Sequence, residues 1–388
     1  MKRLDHVDAL RVMACLSVLL VHVISATMPI DGAIVNAVTQ LLHYGRHVFF
    51  FASAFVLTYV FLHRYETAHA GAEASGHGDS ASNFVASNFD ATKFRLRRLR
   101  LIGVPYVIWT VAYMFLQHLA DTNYISLDNA PERVMRALAN GDGYFHLYFL
   151  LVTLQFGVVF PAFMWLLRRT RGYHIWLLVG SLALQLTTVA VYFRLDHMPI
   201  GGYQPIFGEA SLLAYQLWFV AGGLAAVHYD RFHALVVQNT AWIVLAGVIA
   251  VGLSQAVYWR EVQAGTGPFQ AAFTLQPVTM IWSLVALLLL YRFGVALMST
   301  RFGWLTAAIR RISVLSFAIY LVHPAILFAQ RFYDVSPWPL DLVPQLLYTT
   351  GMAVGVATLA IAIGAVLHRT PWSLALIGRP RYRRAEPV

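Results

Sequence analysis

Arg11 and His22 stand eleven residues apart in a run, Asp8 to His22, that is otherwise apolar apart from Asp8 itself and Ser17. At 100° per residue they lie about 20° apart around a helix and about 16 Å apart along its axis. They therefore share one face. Ionisable groups inside a membrane span are costly and generally face a protein interior or a wet cavity. Two arrangements satisfy that rule. Arg11 can anchor at one headgroup layer and His22 at the other, or the pair can form a polar seam with a proton-transfer group near one mouth. A second stretch, Ser313 to Pro324, repeats the pattern. Tyr320 and His323 are three apart and share a helical face, and Pro324 withholds a backbone donor beside them. A histidine and a tyrosine in mid-span beside a proline point to an interior position. Asp8 opens the first seam on the same side as Arg11.

A third chemical stretch is Phe94 to Tyr106, where Arg95, Arg97, Arg98 and Arg100 alternate with apolar residues. Such a stretch either lies on anionic lipid headgroups or clamps a phosphorylated substrate, since the guanidinium binds phosphate bidentately. His146, in Tyr144-Phe145-His146-Leu147-Tyr148-Phe149, opens a later apolar run and is expected at the same surface as His22, His43 and His47. His69 and His77 show no regular ligand spacing, and no metal site is expected.

The elements that hold these residues are membrane helices. Of 388 residues, 59% are hydrophobic and 12% charged, about half the charged fraction of a soluble domain. Mean hydropathy is +0.62. A span needs about 20 apolar residues, and ten runs qualify: 8–27, 44–62, 101–120, 145–167, 174–194, 209–229, 240–259, 275–297, 312–331 and 343–367. The expectation is an all-α integral membrane protein of about ten transmembrane helices and one domain over 1–388. A flexible insert is expected at 66–92, a basic tail at 369–388, a short outer helix over 131–139 starting on Pro131, and close helix packing at Ala221-Gly222-Gly223. The basic stretch through Arg310-Arg311 is expected to pack on the inner surface.

With the N-terminus cytoplasmic, 21 of the 28 lysines and arginines fall inside and 6 outside. The positive-inside rule thus puts both termini in the cytoplasm, Arg11 toward the inner face and His22 toward the outer. The net charge of +10 is explained by these loops, not by nucleic acid. The single cysteine, Cys15, excludes an intramolecular disulfide. The basic start and apolar run resemble a signal peptide but lack a convincing cleavage site, so an uncleaved first span is expected.

Together these stretches resemble the acyltransferase-3 family of polytopic membrane O-acyltransferases, which modify bacterial cell-surface glycans. The resemblance rests on Asp8, Arg11 and His22; on Val48-Phe49-Phe50-Phe51 with Ser53; on the basic segment leading to Pro105-Tyr106 and Trp109; on His146-Leu147-Tyr148-Phe149; on Phe219 and Gly222; and on Ser316, Tyr320-Leu321-Val322-His323-Pro324. Gln155-Phe156 and Phe160-Pro161 are similar to the exopolysaccharide and intercellular-adhesin type. Ala54 departs from the glycine common after the serine, a change of local packing only. Some members carry a fused extracytoplasmic hydrolase-like domain; here about 20 residues follow the last span, so this chain is expected to transfer the acyl group itself or hand it to a separate protein.

The resemblance implies an acyl-coenzyme A donor, acetyl-CoA or succinyl-CoA, and an acceptor hydroxyl on a polysaccharide or lipid-linked glycan, in the bacterial cytoplasmic (inner) membrane. Arg97, Arg98 and Arg100 then hold donor phosphates. Arg11, with Asp8 beside it, orients the donor or stabilises negative charge, and His22 is the general base. Tyr320 and His323 donate to the oxyanion or orient His22, and His146 contributes to substrate binding. Direct transfer and an acyl-histidine relay are both compatible with these residues. Partners expected beyond substrate and bilayer are other glycan-synthesis proteins. The rival readings are a transporter of glycan or lipid-linked sugar, whose path the same side chains would line, and a membrane scaffold; no internal repeat of the kind transporters use is visible.

Overall fold

The structure is a computed structural model that describes residues 3–29, 31–74, 90–121, 129–196, 208–299, 302–329 and 342–382. Their regular structure is helical, with no strand among them. Their contacts group them into two compact units, one of 50–233 with the extreme N-terminus and one of 4–49 with 234–388.

The helices are α1 (Asp5–Thr27), α2 (Ala33–Leu42), α3 (Tyr44–Ala74), α4 (Ala91–Arg98), α5 (Val104–Ala120), α6 (Ala130–Asn140), α7 (Tyr148–Arg169), α8 (His174–Asp196), α9 (Gln216–Val227), α10 (Tyr229–Gln238), α11 (Thr240–Gln263), α12 (Pro268–Ala271), α13 (Pro277–Met298), α14 (Gly303–Ala329), α15 (Leu342–Leu367) and α16 (Ser373–Ile377). Local chemistry sets their ends. Asp5 and Asp8 lie in the first turn of α1, where carboxylates favour the positive end of the helix dipole. Asp90 caps α4 by accepting from the Lys93 amide at 2.9 Å. Pro131 sits in the first turn of α6, and Gly141 closes it with φ 76°, a left-handed cap that glycine adopts without steric cost.

Nine helices among the described residues are long and apolar enough to span a bilayer. The sixth expected span is instead a bent pair: residues 212–227 and 229–238 meet at His228 at 99°. The break falls where the apolar run gives way to His228, Tyr229, Asp230 and Arg231. Its entrance is a 3₁₀ turn, Leu212–Tyr215, whose backbone is satisfied by side chains from the same unit. Gln155 donates to the Ala210 carbonyl at 2.9 Å and accepts from the Leu212 amide at 2.7 Å, and Gln185 donates to the Ala214 carbonyl. Irregular backbone at membrane depth needs such partners.

Helix directions within the second unit count the crossings. Thr240, at the start of α11, accepts from Arg292; the adjacent Tyr291 meets His6 at the start of α1. At its other end α11 reaches α2, through Ser254 to Gln40 and Tyr258 to the Ala33 carbonyl. So α1 and α11 run in the same direction, and an odd number of crossings separates them. Between them in the chain lie four helices long and apolar enough to cross, Ala33–His63, Ala91–Ala120, Tyr148–Arg169 and His174–Val191, and the bent pair counted as one span makes the number five. Likewise α15 starts beside the end of α1, where Thr27 and Thr349 hydroxyls lie 3.0 Å apart and Gln345 donates to the Thr27 carbonyl. Hence α15 ends at the end of the unit where α1 begins.

Three other stretches differ from expectation. α3 continues as helix to Ala74, into the expected flexible insert; residues 75–89 of that insert lie outside the described residues. The basic stretch around Arg310-Arg311 is no separate surface helix but part of the 27-residue α14. The basic tail folds back, with the Tyr382 amide donating to the His368 carbonyl and the Ser373 hydroxyl to the Arg379 carbonyl, both at 2.8 Å.

Candidate functional site

In the second unit α1 and α14 lie side by side and parallel, joined by three polar rungs of constant register. Arg310 holds Asp5 with two bonds of 2.6 and 2.7 Å. The Ser313 hydroxyl donates to the Asp8 carboxylate at 2.6 Å, and Arg11 Nη2 donates to Ser316 Oγ at 3.2 Å. Each rung joins residues 305 apart in sequence. Equal steps of three on both helices keep the rungs on one face, about 4.5 Å apart along the axes. Near the third rung the Cys15 thiol donates to the Ser316 carbonyl at 3.6 Å.

Further along the same face His22 meets His323. Their rings are 5.2 Å apart, edge to face at 73°. His323 is 1% exposed, and its Nδ1 lies 3.1 Å from the Ile319 carbonyl, one turn back in its own helix. Tyr320, also buried, lies 5.8 Å from the His323 ring. Thus Asp8, Arg11, His22, Tyr320 and His323 are brought to one interface. The shared face expected of Arg11 and His22 is the face α1 turns to α14. Around this end of α1, Arg46 and His43 are within electrostatic range of His22. His43 is held to the Ala272 carbonyl at 3.0 Å, and His47 is buried against the Ser283 hydroxyl at 2.9 Å.

The remaining expected site residues belong to the other unit. The four arginines split between two faces. Arg95 donates to the Val158 carbonyl at 3.0 Å. Arg98 lays its stem along Gly157, where an added Cβ would come 3.4 Å from it, and its guanidinium lies over Phe94 at 5.4 Å. Arg97 and Arg100 are exposed. Between α4 and α5 the chain makes a π-helical turn, Leu99–Gly103, a distortion frequent at functional sites. His146 stands just before the start of α7. It is 1% exposed, boxed by Tyr113 and Tyr144, whose rings stack 4.6 Å apart and meet it edge-on at 5.0 and 5.8 Å. Beside α6 opens a cavity of about 450 Å³ lined by Met114, Asn129, Glu132, Arg133, Arg136 and Asp142. Its lining carries two arginines and two carboxylates. The His69 side chain and His77 lie outside the described residues.

Sequence reasoning missed Ser313 as the partner of Asp8 and gave Ser316 no role. The signal was present: Asp5, Asp8 and Arg11 on one helix and Arg310, Ser313 and Ser316 on another share the same three-residue step, with donors facing acceptors.

Comparison with known proteins bears on what this interface does. A family model described as "Acyltransferase domain" (Acyl_transf_3) matches residues 4–366. A protein of Staphylococcus aureus (strain MRSA252), "Probable poly-beta-1,6-N-acetyl-D-glucosamine export protein", is 22% identical over 302 residues, covering 75% of this chain and 77% of its own length. No solved structure matches the chain. With nearly the whole chain matched, and with the helices expected of a multi-pass membrane protein, the chain belongs to the acyltransferase-3 family.

Proposed function

We propose that the protein transfers an acyl group, acetyl or succinyl, from cytoplasmic acyl-CoA to a sugar hydroxyl of an exported or cell-surface polysaccharide, in the bacterial cytoplasmic membrane. The observation that carries this reading is the α1–α14 interface, where a rung of Arg11 on Ser316 leads to the His22–His323 pair inside a chain of an acyltransferase family. A transfer needs a base for the hydroxyl proton and fixed positive charge for the oxyanion. His22 takes the proton as the sugar oxygen bonds to the acyl carbon. The C–S bond breaks, and the proton passes on to the coenzyme A thiolate. Arg11, Tyr320 and His323 stabilise the charge that develops on the acyl oxygen or hold His22 in place. The lysine and arginine bias puts the Arg11 end in the cytoplasm, with both termini. The exposed Arg97 and Arg100, with Arg98 beside them, are the phosphate-binding set, Asp8 anchors the Arg11 end, and His146 shapes the acceptor side through its aromatic box.

The test is coenzyme A release from acetyl-CoA and succinyl-CoA by the protein in nanodiscs, with a crude surface-glycan acceptor. Wild type is run beside His22→Ala and His323→Ala, each checked by size exclusion. Acceptor-dependent release that His22→Ala abolishes is expected. Release by neither donor, or a His22→Ala variant as active as wild type, removes the assignment. The second reading, an exporter of glycan, draws on the printed name of the staphylococcal relative. It predicts glycan movement across vesicles with no donor present.

A further inference from the structure

Ser316 carries more chemistry than the motif that contains it reveals. Its hydroxyl proton is donated to the Ser313 carbonyl at 2.9 Å, within α14. A serine hydroxyl has one hydrogen and two lone pairs, so toward α1 its oxygen is an acceptor. Arg11 Nη2 occupies that acceptor, and the Cys15 thiol takes the carbonyl of the same residue. Ser316 is fully buried, and Ser313 is tied to Asp8, so the acceptor is set by neighbours on both helices. Arg11 is only half-buried. A free arginine side chain carries about 2 kcal/mol of rotamer entropy, and a fixed acceptor at Nη2 removes much of that freedom before substrate arrives.

We propose that Ser316 is the positioning residue for Arg11, fixing the guanidinium plane from α14 for the charge it must meet. The inference rests on the acyltransferase reading above. Ser316→Ala removes the acceptor and is expected to cost about tenfold in kcat/KM, the factor of one hydrogen bond to a charged group at the low end of its range. Ser316→Thr keeps the hydroxyl and the i−3 bond and is expected to recover wild-type kcat/KM to within about twofold.

The deciding measurement is a double-mutant cycle on kcat/KM with Ser316→Ala, Arg11→Lys and the double variant in nanodiscs, using whichever acyl-CoA the wild type accepts. Lysine lacks the planar fork that Ser316 orients. If Ser316 acts through Arg11, the double variant is no worse than Arg11→Lys alone. Multiplying losses, an unaffected Ser316→Ala, or a Ser316→Thr no better than Ser316→Ala overturns the inference while the acyltransferase reading stands. A wild type without acyl transfer overturns both, and is seen before any variant is made.

Discussion

Ser313→Ala tests the register of the two seam helices directly. The Ser313 hydroxyl is buried and gives Asp8 a 2.6 Å bond, and Asp8 is itself 9% exposed. Hydrogen bonds to charged groups contribute about 1.5–3 kcal/mol, while neutral interhelical bonds in membranes average about 0.6. The charged acceptor and its burial place this rung in the upper range. At about 2–4 °C per kcal/mol for a unit of this size class, Ser313→Ala should lower the unfolding midpoint by about 3–12 °C. The protein supplies its own reporter. Cys15 is the single cysteine, 3% exposed, with its sulfur against the Ser316 carbonyl. A thiol-reactive dye therefore reports separation of α1 from α14, and labelling in Ser313→Ala should begin at lower temperature. Asp8→Asn keeps an acceptor oxygen and loses the charge, so its effect should be smaller, and the double variant should add little to Ser313→Ala alone. A Ser313→Ala variant within 1 °C of wild type, with unchanged Cys15 labelling, would refute the idea that this rung sets the register.

Three further outcomes follow from the geometry. Gly222→Ala would place a Cβ 2.3 Å from the Phe51 carbonyl and 3.0 Å from the Ala54 Cβ, and such overpacking costs about 1–3 kcal/mol; thermal size-exclusion should show an earlier loss of the monodisperse peak, and an unchanged profile would mean that α3 and α9 are less closely fixed. Arg97→Ala with Arg100→Ala changes two exposed side chains; it should raise the KM for acyl-CoA about tenfold with the unfolding midpoint kept, whereas a KM equal to wild type would remove them from the donor site. Burial, with Arg379 nearby, lowers the His368 pKa below its ordinary 6.5. The folded tail therefore prefers neutral His368, and its stability is lost as the pH falls through the unfolded value. Hydrogen exchange at the Tyr382 amide, corrected for intrinsic rate, should lose protection between pH 7.5 and 5.5 in wild type and not in His368→Gln; equal protection at both pH values would contradict this.

The sequence alone determined the solvent. A chain 59% hydrophobic and 12% charged must satisfy its backbone polar groups internally when it lies in lipid, and its long apolar runs do so as helices, which gives the class and the number of spans to within one; Pro131 marked the start of the short helix. The sequence also determined that Arg11 shares a face with His22, and Tyr320 with His323, because the helical period is local geometry. Other features depended on what lay across an interface. That Asp8 answers Ser313 and that Arg11 answers Ser316 requires α1 and α14 to be parallel and adjacent, although about 300 residues separate the partners; no local period encodes that. The sequence put His146 at a helix start, but its enclosure depends on Tyr113, which arrives from α5 to cover it. The bend at His228 looked like an ordinary span because its apolar run has the composition of one; Gln155 and Gln185, from two other helices, satisfy the backbone that the irregular entrance leaves open. Periodicity decides which face of a helix is polar, and only packing decides what that face meets.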